Sequence, residues 1–143
     1  MARHLYLCPL RWSDMDSLRH INNVQYVRYL EDARVDWLFN RGEFERGEDE
    51  GFLVVRNEIN YRRQLHYRHA PLPVEIWVSR LGHGSIEVSY ELVDTDEEGT
   101  RTVYADAKSV LATVDMTSGR PKRVSAEFRA FLEKFLDEPD GDV

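Results

Sequence analysis

One early amphipathic helix, followed by four alternating apolar runs joined by short turns, restricts this chain to a small set of folds. The helix signal covers residues 23–40, with Gln25, Arg28, Asp32 and Asp36 on a polar stripe and Val27, Leu30, Trp37 and Leu38 opposite. Asn40-Arg41-Gly42 supplies its stop. Strand-like runs then fall at 52–61, 73–81, 85–94 and 102–115. Alternation is clear at Val74/Ile76/Val78, Ile86/Val88/Tyr90/Leu92 and Val103/Ala105/Ala107. Turns as short as 82–84 and 94–99 join strands as antiparallel hairpins, so the later runs form a meander.

Residues 3–12 read as a first strand in which Pro9 indicates an edge position or a bulge. Residues 41–51 are polar and punctuated by glycine, a loop. Ser125 caps a closing helix with Phe128, Phe131, Leu132, Phe135 and Leu136 on one face. The expectation is an α+β fold in a single domain, residues 1–137, with a frayed acidic tail at 138–143. One helix covers about one sheet face. Trp77, Tyr104, Val110 and Val114 fall on the opposite strand faces, which points to a homo-oligomer, dimer or tetramer. Glu31 and Arg34 sit on the apolar side of the helix three residues apart and are expected to pair.

Composition narrows the partners. The 143 residues are 42% hydrophobic and 31% charged, the balance of an ordinary globular protein. A net charge of -7 argues against non-specific nucleic-acid binding. No apolar run is long enough for a membrane span, and the N-terminal residues contain no signal-peptide core. Cys8 is the single cysteine and forms no intrachain disulfide, which fits the cytoplasm. The His and Cys spacing offers no metal site.

The chemistry concentrates just ahead of the first helix. Ten residues hold Asp14, Asp16, His20, Asn22 and Asn23. Backbone N–H groups there lack intrahelical partners, and the helix dipole favours developing negative charge. A carboxylate base beside such donors is what hydrolysis of an activated acyl group requires. Aspartates before a helix are also ordinary turn formers, a reading that suits Asp14 better than Asp16. Asn22 or Asn23 serves as N-cap.

The run Asp14-x-Asp16-x-x-x-His20-x-Asn22-Asn23-x-x-Tyr26, with this order of elements, resembles the hot-dog-fold thioesterases. It is most similar to the 4-hydroxybenzoyl-CoA thioesterase-like branch, which includes small bacterial acyl-CoA thioesterases. Secondary matches are 54–63 and 77–82. The resemblance implies a long central helix wrapped by an antiparallel sheet of about five strands, with a C-terminal helix added. It implies hydrolysis of an acyl thioester to a carboxylic acid and coenzyme A, with Asp16 as general base or nucleophile. Amides at the helix start near Asn23 would stabilise the oxyanion, and His20 would orient the base or protonate the thiolate. Leu18 departs from the related acyl-carrier-protein enzymes, which have asparagine there. Glu58 is carried over as a second acid; Tyr26 is a candidate for the acyl pocket, and Asn22 is a candidate substrate-binding residue.

No cofactor is implied beyond the coenzyme A of the substrate, whose phosphates call for basic groups. Arg62 and Arg63 lead the densest basic cluster, 62–69; Arg80, Arg120, Lys122 and Arg123 are further candidates. An acyl-carrier-protein thioester would suit the same patches. The competing expectations are a non-catalytic acyl-CoA-binding hot-dog protein and a hot-dog hydratase, whose proline-containing motif is absent.

Overall fold

The computed structural model describes residues 2–39 and 50–137. Five strands form one antiparallel sheet: β1 (His4–Cys8), β2 (Glu50–Tyr61), β3 (Leu72–Leu81), β4 (Ser85–Thr95) and β5 (Arg101–Asp115). Two helices accompany it, α1 (Gln25–Phe39) and α2 (Ala126–Glu133). The sheet order is β1-β3-β4-β5-β2. The expected meander holds for β3, β4 and β5. β2 instead crosses to the far edge and pairs with β5 from Glu50↔Asp115 to Tyr61↔Ala105. Alternation along one strand carries no information about its neighbour, so this exchange of edges had no local signature.

The expected long helix is shorter. α1 has 15 residues, about 22 Å, because the chain turns at Asn22–Val24 before it begins. Asn22 is the cap, its Oδ1 accepting from the Val24 N–H at 3.0 Å. The anticipated stop at Asn40, most of the 41–51 loop and the tail at 138–143 lie outside the described residues, while Glu50 and Gly51 belong to β2. β1 ends at Cys8 rather than residue 12. Pro9 has no N–H to give the ladder, and Trp12–Asp14 form a single 3-10 turn. Ser125 caps α2, accepting from the Phe128 N–H at 3.2 Å.

The core lies between α1 and the sheet. Tyr29, Leu30, Ala33 and Trp37 pack with Ile76, Val88, Tyr90, Leu92 and Leu111. α2 adds Phe131, whose ring centroid lies 6.0 Å from that of Trp37. His4 Nε2 sits 2.7 Å from Asp36 Oδ2 and ties β1 to α1.

Two packing expectations are corrected. Arg34 does not pair with Glu31, which is exposed; Arg34 is buried and donates to Tyr90 Oη at 2.9 Å. Trp77 on the outer sheet face is already covered, with the Arg3 guanidinium 3.6 Å from its ring centroid. Val114 is likewise buried within the chain. Exposed apolar surface collects elsewhere, on the edge strand at Leu53, Val54 and Val55 and near the start of α1 at Val24 and Val27.

Candidate active site

The loop between β1 and α1 closes on itself as a small hairpin. Asp14 C=O accepts from the Asn22 N–H and His20 C=O from the Asp16 N–H, both at 2.9 Å. The turn is tight enough to place Arg19 at φ 66, a left-handed conformation uncommon outside glycine. Ile21, 4% exposed, plugs the hairpin into the core, and its N–H donates to Leu65 C=O at 2.7 Å.

The two aspartates have opposite surroundings. Asp14 is 1% exposed, and its Oδ2 accepts from Tyr29 Oη (2.6 Å), Arg28 Nη2 (2.7 Å) and the Arg11 N–H (3.0 Å). Burial pushes its pKa up, but these three donors outweigh burial and hold the carboxyl below its ordinary value. Asp16 is only half-buried. Its Oδ1 accepts from the amides of Leu18 (2.9 Å) and His20 (3.3 Å), leaving Oδ2 without a partner among the described residues. Each carboxylate keeps one oxygen without a partner among the described residues, but Asp14 is buried, so Asp16 is the one whose free oxygen solvent can reach.

Beside this hairpin a cavity of about 270 Å³ is lined by His20, Asn23, Tyr26, Tyr61, Arg62 and Arg63, with Ile21, Gln64 and Leu65 completing the wall. At the helix start the Asn22 C=O takes the Gln25 N–H and the Asn23 C=O takes the Tyr26 N–H. The Asn23 N–H has no partner among the described residues. One free donor thus opens at the positive end of the helix dipole. Tyr26 is 3% exposed, and burial, then the neighbouring Tyr61, push its hydroxyl up to about 12. It stays protonated, a donor rather than a base. His20 meets His66 edge-on, ring centroids 4.8 Å apart.

The structure brings His20, Asn23, Tyr26, Arg62 and Arg63 to one cavity; Asp16, on the hairpin that carries His20, and Asn22, the cap, are not among its lining residues. Arg62 donates from Nε to Asp106 Oδ2 at 2.6 Å, whereas the Arg63 guanidinium has no partner among the described residues. Glu58 is not brought to them. It lines a separate cleft of about 520 Å³ with Trp77, Ser89 and Lys108. Lys122 and Arg123 lie apart too, beside Phe52 and Phe128. Tyr61 and His66 lie in the 54–63 and 62–69 stretches but were not expected as site residues. Tyr61 donates to Asn23 C=O at 3.1 Å and packs on Tyr26 with centroids 5.0 Å apart. Only the β2 crossover puts it there, and no spacing rule could have placed it. Among the described residues no group of three or more His, Cys, Asp or Glu side chains could hold a metal ion.

A helix packed on a five-stranded antiparallel sheet of order β1-β3-β4-β5-β2 is the layout of a hot-dog fold, and the hairpin that carries Asp16 leads into the start of that helix. The chain belongs to the thioesterase-like superfamily, whose model matches residues 10–132, and is a thioester hydrolase by class. It is 28% identical over 129 residues to the long-chain acyl-CoA thioesterase FadM of Escherichia coli K12, covering 89% of this chain and 95% of that one. The crystal structure of the PA5185 protein from Pseudomonas aeruginosa PAO1 superposes with TM-score 0.79 at 28% identity, covering 96% of this chain and 94% of that one. The PA2801 protein of Pseudomonas aeruginosa gives 0.76 at 32% identity, covering 90% and 96%.

Proposed function

We propose that this protein hydrolyses acyl-CoA thioesters to a carboxylic acid and free coenzyme A, with Asp16 as its base. The observation that carries the reading is that Asp16 Oδ2 and the Asn23 N–H, both on the loop that leads into α1, are each without a partner among the described residues. Asp16 deprotonates a water for attack on the thioester carbonyl, or attacks it directly to form a transient anhydride. The Asn23 N–H binds the oxygen as it becomes an oxyanion, a contact worth about 3–4 kcal/mol in the transition state. His20 stands beside the leaving thiolate, a good leaving group that needs little acid assistance. Tyr26 and Tyr61 wall the acyl side, and the free Arg63 faces the coenzyme A phosphates.

The active form in this reading is a cytoplasmic homo-oligomer. β2 is an unpaired edge of 12 residues with Leu53, Val54 and Val55 exposed, a surface that a second copy covers well. Thiol release from a panel of acyl-CoAs, short and long, aliphatic and aromatic, tests the activity. Turnover that disappears in a folded Asp16→Ala variant supports it. Acyl-CoA binding without thiol release by the wild type would replace the enzyme with a binding protein.

A further inference from the structure

We propose that Asp14 is a positioning residue whose buried carboxylate sets the distance between the Asp16 base and the Asn23 amide. The inference rests on the reading of the site given above. Among the described residues the hairpin that carries Asp16 and His20 is tied to the fold along two routes, one through Ile21 and the His20–His66 bridge to the 65–66 segment and the other through Asp14. Asp14 joins three separate pieces of chain. Its backbone C=O holds Asn22 at the end of the hairpin, its Oδ2 holds the Arg11 amide where the strand gives way to the turn, and the same Oδ2 holds Arg28 and Tyr29 in the first turns of α1.

A turn former has no need to be buried. An isolated carboxylate this deep would cost several kcal/mol, and only its three donors make the position tolerable. A neutral cap on the surface would close the same hairpin at less cost. The buried charge adds a rigid link between loop and helix, because charge-assisted bonds of 2.6 and 2.7 Å leave little play. Arg28 depends on the link as well, since among the described residues its buried Nε has no partner and Asp14 is its one ion pair. The base rides on the loop and the oxyanion donor on the start of the helix. Asp14 connects the two, and a displacement of about 1 Å between such groups costs on the order of 10²-fold in rate.

The test compares wild type with Asp14→Asn, which keeps the shape and loses the charge, and with Tyr29→Phe, a milder change that serves if the first does not fold. In both, thiol release is measured well below the unfolding temperature. kcat should fall about 10–100-fold in Asp14→Asn and several-fold in Tyr29→Phe, with KM within about twofold. Amide exchange at His20 and Asn22 should quicken while β4 stays protected. A folded variant with unchanged kcat, or a rise in KM matching the fall in kcat, overturns the proposal, since a merely structural role lowers the unfolding temperature and leaves kcat alone. If the wild type releases no thiol, the functional reading fails and the link is judged on exchange alone. Unchanged exchange at Asn22 in Asp14→Asn then overturns it.

Discussion

Asp16 and His20 face each other across a tight turn, bonded twice: Asp16 N–H to His20 C=O at 2.9 Å, and His20 N–H to Asp16 Oδ1 at 3.3 Å. One carboxylate oxygen shapes the turn and the other is free, so the two roles of Asp16 separate by substitution. Asp16→Asn keeps an oxygen for the Leu18 and His20 amides and should match the wild-type unfolding temperature. Its thiol release should fall about 10²–10⁴-fold. Asp16→Ala should lose the same activity and about 1 kcal/mol of stability besides. Thermal unfolding run beside the thiol assay checks both, and an active Asp16→Asn would end the case for Asp16 as base.

The oxyanion donor proposed here belongs to the backbone, so the side chain of Asn23 should matter little. Asn23→Ala keeps the N–H and should retain activity within a few-fold. Asn23→Pro removes the N–H at a position just ahead of a helix, where proline is well tolerated. Its kcat should fall about 10²–10³-fold with the fold intact by circular dichroism. Equal activity in the two variants would move the oxyanion site elsewhere.

Much of the fold was legible because burial follows alternation closely. Ile76, Val88 and Leu92 are fully buried on the helix side, as their period of two required. Ser125 was readable as a cap from its own residue type. The missing parts are those that depend on distant partners. Arg34 looked like half of a local pair with Glu31, yet its partner Tyr90 is 56 residues away. The sequence already favours Asp16 over Asp14 as the base, but the burial of Asp14 against Arg28 and Tyr29 depends on distant residues and has no local sign. Tyr61 reaches the site because β2 crosses to the far edge, and that same crossing leaves Glu58 on another cleft. Local patterning encodes which face a residue takes; it does not encode which strand lies next to it.

Arg34 heads a chain that runs from the core out to the exposed Asn57: Arg34 Nη1 donates to Tyr90 Oη, Tyr90 Oη to Ser109 Oγ, and Ser109 Oγ to Asn57 Oδ1, at 2.9, 2.9 and 2.6 Å. Among the described residues Arg34 has no carboxylate partner, so the Tyr90 hydroxyl is what makes its burial tolerable. The two ends of that bond should therefore respond unequally. Tyr90→Phe strands a cation and should cost about 2–3 kcal/mol in urea unfolding. Arg34→Met removes the charge, keeps the volume and leaves Tyr90 bonded to Ser109, so it should cost under about 1.5 kcal/mol. Equal losses would mean that the cation is solvated in a way the structure does not contain.

Acid stability gives a separate reading of Asp14. Its folded pKa is held below the unfolded value of about 3.9, so its contribution is fully present above that value and is lost as pH falls through the folded pKa. Glu75 behaves alike: burial opposes the shift, but Arg101 and Arg3 outweigh it. At Asp94 the Arg68 guanidinium dominates. Wild-type stability should therefore decline steadily from about pH 5 downwards. Asp14→Asn cannot titrate at this position, so it should be less stable at pH 7 and follow a shallower acid limb, still sloping because Glu75 and Asp94 remain. The two curves should converge at the lowest pH at which both are folded. Urea unfolding between pH 3 and pH 7 measures the gap directly. A gap that stays constant across that range would mean the Asp14 carboxyl has an ordinary pKa in the folded state, and that its donors do no more than offset its burial.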